Sequence, residues 1–121
     1  MIKIKRVYEN KKREDGYRIL VDRLWPRGIK KEDLIFDEWP KEITPSPEIR
    51  KKFAHKAENF SEFKKEYRSE LRQKETHQKI LALAKKALQS NVTLLYAAHD
   101  EKINHALILK EEIERVKKEL S

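Results

Sequence analysis

An α/β domain with a small, partly parallel sheet of about three strands flanked by helices is the fold class this sequence predicts. Three observations carry that expectation. Three short apolar runs read as strands, at residues 2–7, 17–21 and 92–97. Stretches with apolar residues every three or four positions fill most of residues 46–120 and read as amphipathic helices. The connection from the second run to the third is long and helical, as a parallel crossover requires.

In chain order, Ile2, Ile4 and Val7 alternate with basic residues, as in a half-buried strand. Residues 9–16 are polar and end at Gly16, so they read as a loop. Tyr17-Arg18-Ile19-Leu20-Val21 is more continuously apolar and therefore a more central strand. Trp25-Pro26-Arg27-Gly28 stops it, because proline and glycine do not extend a ladder. The connection between these two strands is short, and suits either a hairpin or a compact crossover.

Residues 29–45 read as irregular, with a short helix near Lys30–Leu34. Ser46-Pro47 then opens a helix to about His55, with serine as N-cap, proline in the first turn, and Ile49 and Phe53 on one face. Ser61 is the next expected cap, before a stripe of Phe63, Tyr67 and Leu71. Thr76 is expected to cap a third helix with Ile80, Ala84, Ala87 and Leu88 inward. Val92-Thr93-Leu94-Leu95-Tyr96-Ala97 is the clearest strand. A last helix is expected over about Lys102–Leu120, with Asp100 as its natural N-cap and a stripe of Ala106, Leu109, Ile113, Val116 and Leu120. No linker or repeat interrupts these elements, so residues 1–121 read as one domain.

The chain has 121 residues, no cysteine and a formal net charge of +8. Disulfides and thiolate metal sites are therefore excluded. No apolar run approaches a membrane span, and the N-terminus lacks the apolar block of a signal peptide, so a cytoplasmic location is expected. Residues 1–31 hold 11 Lys/Arg against 4 Asp/Glu, a net of +7, while residues 32–121 hold 18 against 17. Such a patch attracts phosphates or nucleic acid; equally, it serves as a solvated surface that keeps the protein in solution.

Ligands in open α/β sheets bind beyond the carboxyl ends of the strands. One such end carries Asp22, Arg23, Trp25 and Arg27, the other His99, Asp100, Asn104 and His105. Parallel neighbours would bring the two sets to one edge. Arginine's fork of donors suits a phosphate or carboxylate. On this reading Arg23 and Arg27 hold the anion, Trp25 packs on the ligand, Asp100 and Asn104 complete the ligand-binding set, and Asp22 or His105 moves a proton. The alternative is that Asp22 pairs with an arginine, Trp25 is core and Pro26-Arg27-Gly28 is only a turn. Tyr67 and Glu70 share a helix face, where Glu70 would orient a basic residue or act as a base.

No two histidines stand four apart on a helix and no third ligand is evident, so no metal site is expected. With two glycines there is no phosphate-cradling loop, which argues against an ATPase or a dinucleotide cofactor. No nucleophile motif stands out.

Leu20-Val21-Asp22-Arg23-Leu24-Trp25-Pro26-Arg27-Gly28 resembles the signature of the bacterial domain-of-unknown-function 488 family, in its YeaO-like branch. Later blocks resemble it in order: residues 45–55, Phe63 through Tyr67 to Leu71, and Thr93–Ala98 followed by Asp100-Glu101 and Asn104-His105-Ala106. The resemblance implies a compact α/β domain and marks Asp22, Arg23, Trp25, Arg27, His55, Asp100 and Asn104 as signature positions. It assigns them no roles, because the family has no agreed activity. His99 departs from the lysine or arginine expected there in many members, which would weaken any anion contact at high pH. Three functions remain in competition: a protein that binds or processes a phosphate-containing ligand such as a nucleotide, nucleic-acid binding through the basic N-terminal quarter, and a non-catalytic interaction module.

Overall fold

The computed structural model describes residues 1–121. Its centre is β3 (Val92–Tyr96), five residues that are all buried. β1 (Ile2–Arg6) pairs with one edge of β3, and β2 (Tyr17–Leu20) with the other. Both pairings are parallel, with Ile4 and Ile19 each opposite Leu94. The most continuously apolar run of the first half, β2, is thus at the side of the sheet rather than in its middle. Its outer edge is covered by residues 37–39, where Glu38 O accepts from Leu20 N–H and Arg18 O from Asp37 N–H.

Because β1 and β2 flank β3, the short connection between them is a compact crossover and not a hairpin. Residues 7–16 run back across one face of the sheet and end in a single 3-10 turn at Arg13–Asp15. Gly16 then turns the chain into β2 with φ +65°. A Cβ at Gly16 would lie 2.3 Å from the carbonyl oxygen of Asn91, so only glycine fits here.

Asp15 anchors that crossover. Its carboxylate accepts from Lys5 Nζ at 3.0 and 3.1 Å, from Lys12 N–H at 3.0 Å and from Arg18 Nη1 at 2.5 Å. Its main-chain oxygen accepts from Thr93 Oγ1 at 2.6 Å. Burial alone would raise this carboxyl, but the bonds from the Lys12 N–H, Lys5 and Arg18 outweigh it and hold the pKa below the ordinary value.

The other face of the sheet carries α1 (Pro47–Phe53), α2 (Phe60–Leu71), α3 (Lys74–Gln89) and α4 (His105–Leu120). Ile2, Ile19, Val21, Val92, Leu94 and Tyr96 point to this side and join the main core with Phe63, Tyr67, Ile80, Leu109 and Ile113. Val7, Leu20 and Leu95 point the opposite way and meet Leu34, Trp25, Phe36 and Trp39 from the loop after β2. This period-2 division is what two covered faces require of a strand. No helix is long and apolar enough to cross a membrane.

Several boundaries differ from those the local pattern suggests. The short helix near Lys30–Leu34 is one 3-10 turn at Lys31–Asp33. Ser46 stands at the N-cap of α1, but its hydroxyl donates to Glu70 instead of capping. α2 starts at Phe60 and α3 at Lys74, so Ser61 and Thr76 lie inside their first turns. α4 starts at His105, capped by Asn104 Oδ1 accepting from Leu107 N–H at 3.0 Å. Asp100 caps the preceding turn, accepting from the N–H groups of Lys102 and Ile103. Leu88 and Leu120 are exposed although they continue apolar stripes. His55 lies beyond α1, at φ 55° after Ala54 at φ 49°, with its ring against Phe53.

α4 and α2 are joined by a second paired carboxylate. Glu112 is 2% exposed and takes bonds from Arg72 Nε and Nη2 and from Arg115 Nε and Nη2. Burial pushes its pKa up, but the two guanidiniums more than offset this and hold it at about 2. Because Asp15 and Glu112 both have depressed values, their stabilisation is fully present above the unfolded-state pKa near 4 and is lost as pH falls through the folded value. Thermal unfolding should therefore be nearly flat from pH 7 to about 5 and fall steeply between about pH 4 and 2. Glu112→Gln should cost about 2 kcal/mol at pH 7 and flatten part of that acid slope, as read by calorimetry. Gly16→Ala should cost roughly 2–4 kcal/mol, from the clash and the unfavourable φ together, measured by chemical denaturation.

Candidate functional site

The carboxyl ends of β2 and β3 do converge, and the start of α4 meets them. Asp22, two residues past β2, accepts from Ala97 N–H at 2.9 Å through Oδ2. That bond ties the ends of the two strands together. His105, the first residue of α4, places Nε2 2.9 Å from Val21 O and 3.0 Å from Asp22 Oδ1. Both neighbours are acceptors, so Nε2 carries the proton. The geometry satisfies a hydrogen bond only to Val21 O, and Asp22 Oδ1 remains a buried oxygen without one. Asp22 therefore binds a backbone amide and lies against a histidine, and makes no pair with an arginine.

Arg23 faces a cavity of about 210 Å³ between the strand ends and the helices. Its walls include Thr44, Ser46, Tyr67, Glu70, Gln73 and Thr76. Four of these side chains are already engaged, while Gln73, Thr76 and the exposed Glu42, which also lines the cavity, make no side-chain hydrogen bond. Tyr67 Oη donates to Ile43 O at 2.5 Å, and Thr44 Oγ1 to Lys41 O at 2.6 Å. Ser46 donates from N and Oγ to the two oxygens of Glu70. Glu70 thus braces the segment entering α1, the sort of orienting role its position suggests, with a serine as its partner in place of a basic residue. Tyr67 is fully buried, and desolvation first, then the nearby charges of Glu70 and Asp22, push its hydroxyl well above the usual phenol range.

Arg23 differs from the four engaged groups in being a cation. Its Nε is buried and has no hydrogen-bond partner in the protein. A buried N–H on a cation without an acceptor costs on the order of 1–3 kcal/mol, so such an atom calls for a reason.

The remaining signature side chains lie elsewhere. Trp25 packs on the opposite face of the sheet, 6.0 Å from Phe36 and 5.7 Å from Trp39 between ring centroids, and its Nε1 donates to Ile29 O. Trp39 Nε1 in turn donates to Asp22 O. Arg27 is exposed and does not line the cavity; its carbonyl accepts from Tyr8 Oη. Asp100 is exposed, and backbone bonds from Lys102 and Ile103 hold its carboxyl below the ordinary range. Asn104 is buried by its capping role and by donating to Asp100 O. His99 is exposed beside it.

Of the residues that the sequence sets at one edge, the structure brings Asp22 and His105 within 3.0 Å of each other and puts Arg23 on the cavity wall, while Trp25, Arg27, His99, Asp100 and Asn104 do not line that cavity. Thr44 and Gln73 escape sequence reasoning, and Thr76 is read there only as a cap, because a proline-rich loop and a helix start have no periodicity that marks a cavity wall. No group of His, Asp or Glu is arranged to hold a metal ion.

Comparison with known proteins gives a consistent picture. A family model described as the inactive DUF488-N3 subclade matches residues 1–120. The chain is 54% identical over 109 residues to the uncharacterized protein YeaO of Escherichia coli (strain K12), covering 89% of this chain and 92% of that one. It is 37% identical over 108 residues to the uncharacterized protein Rv3073c of Mycobacterium tuberculosis and to Mb3100c of Mycobacterium bovis, covering 89% of each chain. No solved structure matches it.

The Asp22 contacts make a measurable demand on stability. Asp22→Ala should leave the Ala97 N–H without its acceptor and cost about 2 kcal/mol, whereas Asp22→Asn, which keeps an oxygen for that amide, should cost less than half as much. Urea unfolding followed by circular dichroism distinguishes the two.

Proposed function

The chain belongs to the DUF488 family, within the subclade described as inactive, and from that premise we propose that it is a non-catalytic binding domain for a small phosphate-containing ligand. The ligand's anionic group sits against Arg23 in the cavity beyond the strand ends. The single observation that carries this reading is Arg23, which lines a polar cavity and whose buried Nε has no hydrogen-bond partner in the protein. A guanidinium offers paired N–H donors in one plane, which match two oxygens of a phosphate or carboxylate.

The size of the cavity narrows the ligand. At about 210 Å³ it is below the roughly 300–1,000 Å³ that encloses a drug-sized molecule. It takes a phosphate with a short organic part, or the phosphate end of a larger molecule such as a nucleotide whose remainder protrudes. The hydroxyls of Thr44, Ser46 and Tyr67 are committed to protein acceptors, so they shape the wall while Arg23 supplies the charge.

The non-catalytic part of the reading rests on the family description and on the bracing of the two proton-carrying candidates. Asp22 and His105 do not line the cavity, and both hold backbone groups at the strand ends. They act here as the frame that sets the position of Arg23.

Arg23→Ala should abolish the upward shift in melting temperature produced by millimolar phosphate or a sugar phosphate, while leaving the unliganded melting temperature within about 2 °C or raising it. Arg27→Ala should keep the shift. An unchanged phosphate response in Arg23→Ala would overturn the assignment.

A further inference from the structure

A second concavity, of about 370 Å³, opens on the opposite face of the sheet, where the crossover after β1 meets the loop after β2. We infer that this groove binds a single-stranded nucleic acid, with one base stacked on Tyr8 and the flanking phosphates held by lysines and Arg27. The site is separate from the Arg23 cavity and shares no residue with it.

Three observations support the inference. The first is the aromatic surface. Tyr8 is 49% exposed, yet its ring is pinned: the hydroxyl donates to Arg27 O at 3.0 Å, and the Arg6 guanidinium lies 4.9 Å from the ring centroid. Arg6 is itself fixed by donating to Ala97 O and Ala98 O. A held, solvent-facing ring loses little freedom when a base stacks on it, and every base has a face that can do so. Ile29 and the exposed Ile35 add apolar walls of the size a base ring needs.

The second is the free charge. Of the basic residues in the N-terminal quarter, Lys5 and Arg18 are bound to Asp15 and Arg6 to backbone carbonyls. Lys11 lines the groove, and in the chain Arg27 precedes its wall residue Gly28 while Lys30 and Lys31 follow its wall residue Ile29. All four are exposed, and none is in an ion pair within the chain. The acidic groups on the groove are Glu9, which accepts from Arg6 N–H, and Asp33, with the exposed Glu32 next to it in the chain, so four free cations stand against three carboxylates.

The third is the shape of the face. Its covering elements are loops and single 3-10 turns, with all four long helices on the other side of the sheet. Nothing here enters the major groove of a duplex, and a duplex keeps its base faces stacked away from protein. An unpaired strand presents both a free base face and closely spaced phosphates.

The experiment is fluorescence anisotropy with a fluorescein-labelled 12-nucleotide single strand, DNA and RNA, at several salt concentrations, alongside the same sequence as a duplex. Binding should weaken steeply with salt. Tyr8→Ala should weaken it by roughly tenfold or more, and Tyr8→Phe, which keeps the ring, should lose much less. Lys30→Glu with Lys31→Glu should weaken it and lower the salt slope by about 1.4, for two phosphate contacts on a single strand. Arg23→Ala should bind the oligonucleotide like the wild type even where it has lost phosphate, so either proposal can fail without the other. No salt-dependent binding, tighter binding of the duplex, or full binding by Tyr8→Ala and the lysine variant would overturn the inference.

Discussion

The carboxylate of Asp15 is the contact on which the order of the sheet depends. Through Lys5 it holds β1, through Arg18 it holds β2, and through the hydroxyl of Thr93 its main chain holds β3. Three parallel strands in the order 1-3-2 need the chain to cross the central strand after β1, and only residues 7–16 are available to do so. A crossover this short has no helix and no core of its own. It is kept in register by polar bonds made under cover, where the low dielectric strengthens each of them. A well-packed apolar trio in place of Lys5, Asp15 and Arg18 would be about as stable, but it would not prescribe which residue of the crossover lies over Thr93. Gly16 completes the arrangement by turning the chain against Asn91, where a side chain cannot go.

This explains what could and could not be read from the sequence. The alternation of Ile2 and Ile4, the continuous run Tyr17–Val21 and the run Val92–Tyr96 mark strands because each must bury at least one face, and that requirement is written in the residues themselves. Strand order is not, since the short connection between the first two strands suits a hairpin and a crossover equally, and the choice rests on Asp15 meeting partners from three separate segments. Capping bonds depart from the local pattern for a similar reason. Ser46 has the right chemistry for a cap, but Glu70 is closer to hand once α1 and α2 pack together. Asp100 has it too, but a turn intervenes and Asn104 caps α4 instead. Leu88 and Leu120 follow the apolar stripes yet sit near the carboxyl ends of α3 and α4, where they stay exposed.

The nine residues Leu20–Gly28 look like one device in the sequence and divide into three in space. Leu20 and Trp25 belong to the face opposite the helices. Asp22 stitches β2 to β3 and to α4, which is why its partner is an amide and a histidine rather than the neighbouring arginine. Arg23 turns to the helix side, into the cavity with Tyr67 and Glu70. The side chains of this block alternate across the sheet while β2 lasts and then scatter as the strand ends, so adjacency in the chain says little about adjacency in space.

That division has a consequence for function. Asp22 and His105, the residues best suited to move a proton, are both held by backbone groups, and Arg23, the residue best suited to hold an anion, lies next to them without being neutralised by either. A site built for acid–base chemistry needs its proton carrier facing the ligand. A site built only to hold an anion needs a fixed cation whose donors are not already taken, and a frame that keeps nearby carboxylates occupied. Glu70 is occupied by Ser46 and one oxygen of Asp22 by Ala97, while Glu42 on the cavity wall is exposed to solvent. The arrangement around Arg23 is closer to the second requirement than to the first, in keeping with a family member described as inactive. The sheet stands as a wall between this cavity and the Tyr8 groove, and the two concavities share no side chain.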